Sequence, residues 1–101
     1  MIVGIGVDLV DLERFESKLT NTLALVERIF TETERGAANQ SLAGYWAAKE
    51  AVIKALGNPA GLSWHDVAVQ KDELGKPHLN ISGETAVRAS AMGISKWHLS
   101  I

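Results

Sequence analysis

Residues 45–57 read YWAAKEAVIKALG, and their periodicity organises the rest of the chain. At about 100° per residue, Leu42, Tyr45, Trp46, Val52, Ile53 and Leu56 share one apolar stripe, which predicts a helix over 42–56. Gly57 fits the C′ position and Asn58-Pro59 stops the helix. Lys49 falls near the middle of the stripe. A buried unpaired ammonium costs several kcal/mol, so this lysine must snorkel to water or meet an anion. Glu50 and Lys54 sit one turn apart at the edge of the stripe.

Downstream, DVAVQKDELGKPHLNIS (66–82) reads as two strands around a turn at Gly75. Glu84 to Met92 is an alanine-rich short helix closed by Gly93. In KWHLSI (96–101), Trp97, Leu99 and Ile101 alternate with His98 and Ser100, which predicts a final strand. Upstream, Thr31 and Glu34 have capping-box spacing and start a short helix. Leu12, Phe15, Leu19, Leu23 and Val26 recur at steps of three and four, predicting one amphipathic helix over Asp11–Arg28.

The opening stretch MIVGIGVDLV predicts a strand from about Ile2 to Val7. Val3, Ile5, Val7 and Leu9 take one face, and Gly4, Gly6 and Asp8 the other. Glycine within a strand marks a bulge or a close approach by something else. The expectation is a face left bare for a ligand, with Asp8 supplying charge.

The 101 residues are 47% hydrophobic and 22% charged, a globular composition, and are expected to form one domain over 1–101. A net charge of -2 argues against non-specific nucleic-acid binding. With no cysteine there is no disulfide, thiolate zinc site or thiol nucleophile. No stretch approaches the ~18 apolar residues of a membrane span, and no leader pattern opens the chain, so a cytoplasmic protein is expected.

GIGVDL lacks the third small residue of a dinucleotide-binding turn, because Leu9 stands there, and no Walker loop occurs. His65, His78 and His98 have no metal-ligand spacing. Taken singly, Glu50–Lys54 is a surface pair of about 0.2–0.5 kcal/mol, Lys49 snorkels, and Asp8 caps the next helix. Taken together, Asp8 on a bare face and Glu50, Lys49 and Lys54 on one helix fit a metal–phosphate site. Magnesium is held by one or two carboxylates plus phosphate and water, while lysines neutralise the remaining charge.

The segments GIGVDLVDLERFE, ERIFTETE, AGYWAAKEAVIKALG, DELGKP and WHLSI, in this order, resemble holo-acyl-carrier-protein synthase. These are the small trimeric 4′-phosphopantetheinyl transferases, and the likeness spans nearly the whole chain. It implies an α+β fold, an antiparallel sheet packed with helices, assembled as a homotrimer with active sites between subunits. It implies transfer of 4′-phosphopantetheine from coenzyme A to a serine of apo acyl-carrier protein, in fatty-acid synthesis, releasing 3′,5′-ADP. Asp8 and Glu50 match the family's magnesium ligands, and Lys54 the lysine on the coenzyme A phosphates. Lys49 and Ser100 are expected to join Lys54 in holding coenzyme A. Arg14 and Arg28 match basic residues that meet the acidic carrier protein.

Three departures accompany the likeness. Tyr45 stands where many members have arginine, and Ile53 where some have serine. Members also continue past the H-x-S-I strand, so the expected domain lacks the family's last C-terminal strand. Neither the spacing nor the resemblance chooses a general base between Glu50 and a carboxylate-activated water. The alternative reading is a non-catalytic module that binds coenzyme A or the carrier protein.

Overall fold

The computed structural model describes residues 1–101. Four helices surround one hairpin: α1 (Leu12–Asn21), α2 (Leu23–Ile29), α3 (Asn39–Ala55), β1 (Val67–Lys71), β2 (Pro77–Ile81) and α4 (Gly83–Ala91). Single 3-10 turns precede α3 (Glu34–Gly36) and β1 (Trp64–Asp66). This is an α+β fold with an antiparallel sheet packed by helices, as expected.

The 17-residue α3 is the spine of the molecule. Its predicted stripe buries Leu42, Tyr45, Val52 and Leu56, while Trp46 and Ile53 are half-buried. Towards its N-terminal end the stripe meets Phe15, Leu19, Phe30 and Val69. Val52 and Leu56 meet Val67 and Ala89 at the other end. The helix stops as its sequence predicts: Gly57, with φ of 85°, donates to the Lys54 carbonyl, and Asn58 donates to Ile53. That pair of bonds is a Schellman motif, and Gly93 and Ile94 repeat it after α4.

The hairpin has the predicted turn. Val67 pairs with Ile81 and Lys71 with Pro77. The Asp72 carboxylate accepts from the Leu74 and Lys76 amides at 2.9 Å, and Gly75 takes φ of 80° where a side chain would strain the turn. The capping box also forms. Thr31 N–H donates to Glu34 Oε1 at 2.9 Å, and Glu34 N–H donates to Thr31 Oγ1 at 3.3 Å.

The expected helix over 11–28 is instead two helices, broken at Thr22 with φ of -140° and ψ of 82°. The polar run Thr20-Asn21-Thr22 contains weak helix formers, and the break re-aims the apolar side of 23–29 so that Ile29 enters the core. The expected first and last strands also differ. The sheet has two strands only, and neither residues 1–10 nor 94–101 join a ladder. Alternation reports faces, but a strand also needs a neighbour with which to exchange hydrogen bonds, and neither segment makes such a ladder.

The orientation of the opening segment is the larger correction. Its apolar residues face outward, with Ile5 80% and Leu9 92% exposed. Its glycines face α3. A Cβ on Gly4 would lie 2.7 Å from the Ala55 carbonyl oxygen. A Cβ on Gly6 would lie 2.7 Å from the Ala51 carbonyl carbon and 3.1 Å from the Ala55 nitrogen. What approaches the bare face is the backbone of α3, not a ligand.

Candidate active site

That close approach delivers Asp8 to α3. Lys54 Nζ lies 2.7 Å from Asp8 Oδ1 and donates to the Val7 carbonyl at 3.2 Å. Lys54 therefore pairs across the chain with Asp8 rather than along its own helix with Glu50. The Lys54 side chain is 44% exposed, whereas the Asp8 side chain is 15% exposed, so the cation caps a carboxylate that is largely shielded. Glu50 is half-buried beside them. Burial, then the negative charge of Asp8, pushes the Glu50 carboxyl above the usual carboxylate range, and Lys54 opposes this.

A carboxylate whose ionisation is opposed by a neighbouring carboxylate forms with it a donor set suited to a divalent cation. No group of three or more histidine, cysteine or acidic side chains exists that could hold a metal. A magnesium ion at Asp8 and Glu50 would therefore complete its shell with water and phosphate oxygens, its usual mode of binding. The residues present fit that ion.

Lys49 is placed elsewhere, and its expected role toward coenzyme A is corrected. It is fully buried, forming an ion pair with Glu34 Oε1 at 3.0 Å. It also donates to the carbonyls of Trp64, at 3.1 Å, and Val67. Burial pulls its ammonium below the usual lysine range, and Glu34 opposes this. With three acceptors around its three N–H donors, Lys49 has none left for a phosphate. The anion that a mid-stripe lysine demands is Glu34. The sequence shows the capping box and the misplaced lysine separately, and only the fold joins them.

Ser100 is exposed on the C-terminal segment and makes no hydrogen bond to Asp8, Glu50 or Lys54. It shares with Asp8 the border of an open cleft of about 800 Å³, floored by the small residues Gly44, Ala47 and Ala51 of α3. Arg14 and Arg28 are exposed, on α1 and α2 respectively, and not on one helix as the periodicity implied.

A family model described as the 4′-phosphopantetheinyl transferase superfamily matches residues 4–101. The chain belongs to this superfamily. Among curated phosphopantetheinyl transferases, the chain is 50% identical to a holo-[acyl-carrier-protein] synthase of Salinispora arenicola, over 100% of this chain and 88% of that protein. A second, from Frankia casuarinae, is 50% identical over 99% and 86%. Among solved structures, the Neisseria meningitidis holo-[acyl-carrier-protein] synthase superposes with a TM-score of 0.83 at 32% identity, covering 95% of this chain and 84% of that one. The Bacillus anthracis synthase, in complex with CoA (3′,5′-ADP), gives 0.71 at 42% identity, covering 83% and 79%.

Proposed function

We propose that this chain is a holo-[acyl-carrier-protein] synthase, moving 4′-phosphopantetheine from coenzyme A to a serine of an apo carrier protein. The observation that carries the site is the convergence of Asp8, from the N-terminal segment, with Glu50 and Lys54 of α3. Full-length likeness to synthases, one solved with coenzyme A, supports the substrate.

In this reading Asp8 and Glu50 hold magnesium, which when bound supplies charge neutralisation at the pyrophosphate. The carrier serine oxygen forms a bond to the β-phosphorus as its proton passes to Glu50 or to a carboxylate-activated water. The bond from that phosphorus to the bridging oxygen breaks, and the oxygen leaves on 3′,5′-ADP. Lys54, exposed enough to turn from Asp8 toward solvent, places its ammonium against the charge that grows on the leaving group. Most of the acceleration comes from positioning and electrostatics, as in other phosphoryl transfers. Arg14 and Arg28 offer exposed cations to an acidic carrier protein. The outward apolar residues Ile5, Val7 and Leu9 support assembly as a homotrimer, since contiguous exposed apolar surface of this kind marks interaction sites. No helix is long and apolar enough to cross a membrane.

The test is incubation with apo carrier protein, coenzyme A and magnesium, followed by intact mass. Transfer adds the phosphopantetheine mass to the carrier, and its absence refutes the activity. Full transfer by an Asp8→Ala, Glu50→Ala double variant refutes the site.

A further inference from the structure

We infer that the buried Glu34–Lys49 pair is a positioning device: it sets the rotation of α3 about its axis and so aims Glu50 and Lys54 at Asp8. The inference rests on the proposed function, and it concerns two residues that touch neither substrate nor metal.

Three segments meet at this pair. The 31–36 turn contributes Glu34, α3 contributes Lys49, and the stretch leading into β1 contributes the Trp64 and Val67 carbonyls. Both carboxylate oxygens of Glu34 are engaged. Oε1 accepts from Thr31 N–H at 2.9 Å and meets Lys49, while Oε2 accepts from the buried Val69 N–H at 2.8 Å. No polar side-chain atom is left unsatisfied in the core. The carboxylate is thus tied to β1 before Lys49 reaches it, and it presents a fixed point to the helix.

The opposite side of α3 offers no comparable lock. There the N-terminal segment packs by glycine so closely that a Cβ would meet the backbone of Ala51 and Ala55, and the one ionic tie, Lys54 to Asp8, is made by a half-exposed lysine. Lys49 immediately precedes Glu50, so a turn of the helix at one is a turn at the other. A rotation of about 20° carries a carboxylate at the ~6 Å outer radius of a helix through about 2 Å. A misplacement of about 1 Å can cost about 10²-fold in rate. A buried ion pair is weak evidence of stability, because apolar residues of similar volume often serve as well or better. Here it adds a directional, hydrogen-bonded restraint to the apolar contacts of α3.

The test compares Glu34→Gln, which retains length and capping-box chemistry, with a Glu34→Gln, Lys49→Met double variant. Each is measured well below its melting temperature, with folding followed by circular dichroism. The first readout uses metal-free protein: the ¹³C carboxyl shift of Glu50, with that of Glu84, exposed at the start of α4, as control. The second is Mn²⁺ affinity by calorimetry, and the third is kcat against KM for the carrier protein. Positioning predicts that the Glu50 signal moves while the Glu84 signal stays. It also predicts Mn²⁺ affinity falling about tenfold and kcat about 10- to 100-fold, with KM within about twofold. A folded Glu34→Gln protein with an unmoved Glu50 signal and wild-type kcat overturns the inference, and leaves the pair a purely structural contact. A wild-type protein without transfer activity would instead overturn the proposed function, and the Glu50 shift would still report on positioning.

Discussion

Gly6→Ala probes the contact on which the site depends. A methyl group at this position would overlap the Ala51 carbonyl oxygen, its nearest neighbour, and lie 2.7 Å from the Ala51 carbonyl carbon and 3.1 Å from the Ala55 nitrogen. Non-bonded carbons rest at about 3.5–4.0 Å, and the oxygen is closer still, so the N-terminal segment must back away from α3 by more than about 1 Å. The opposing atoms are helix backbone, held by the hydrogen-bond ladder of α3, so the N-terminal segment, which joins no ladder, gives way rather than the helix. Asp8 lies two residues further along, and its 2.7 Å contact with Lys54 opens by a comparable amount. At about 10²-fold per ångström of misplacement, kcat/KM for carrier modification falls about 100-fold. The assay is the initial rate of phosphopantetheine transfer followed by mass, with circular dichroism to establish that the fold persists. Gly36→Ala is the matched control, because a Cβ there meets nothing within 4 Å. A folded Gly6→Ala enzyme with the rate of the Gly36→Ala control would refute the close-approach account of the N-terminal segment.

Three further outcomes are expected. Lys49→Ala leaves Glu34 buried without its cation, a loss of about 3–5 kcal/mol from a total stability of about 5–15 kcal/mol; urea unfolding measures it, and a loss below ~1 kcal/mol contradicts the network. In the hairpin turn, a hydrogen bond from His78 Nε2 at 2.9 Å, then backbone amides, holds the Asp72 carboxyl below its usual range. Its folded pKa is depressed, so its contribution to stability is present above the unfolded pKa and lost as pH falls through the lower folded value. In a ¹³C titration His78→Gln should raise the Asp72 midpoint part of the way back, and no movement contradicts the assignment. Finally, if the outward face is the interface of the proposed homotrimer, Ile5→Asp on it should give monomers in light scattering; a monomeric wild type or an unchanged trimer in the variant contradicts this.

How much was legible in the sequence differs by element for physical reasons. The α3 stripe, its Gly57 stop, the Thr31–Glu34 box and the Gly75 hairpin are local, with each signal and its structural partner within a few residues. The membership of Asp8, Glu50 and Lys54 in one constellation was legible from residue type and from the family resemblance. Which of them pair was not, because Lys54 has Glu50 one turn away and Asp8 46 residues away, and the fold selects Asp8. The glycines of the opening segment announced a close approach without naming the visitor, since an α-helix backbone and a pyrophosphate both demand the missing Cβ. Alternation in 2–7 and 96–101 likewise carried no information about whether a neighbouring strand was present to complete a ladder. Lys49 signalled a need for an anion, and a separation of 15 positions along the chain concealed that the capping glutamate met it.

The most direct measurement is the intact mass of an apo carrier protein incubated with coenzyme A, magnesium and either the wild-type chain or its Asp8→Ala, Glu50→Ala variant. The account predicts complete addition of phosphopantetheine by the wild type and none by the variant over the same period. An unmodified carrier with the wild type, or equal modification by both proteins, would contradict it.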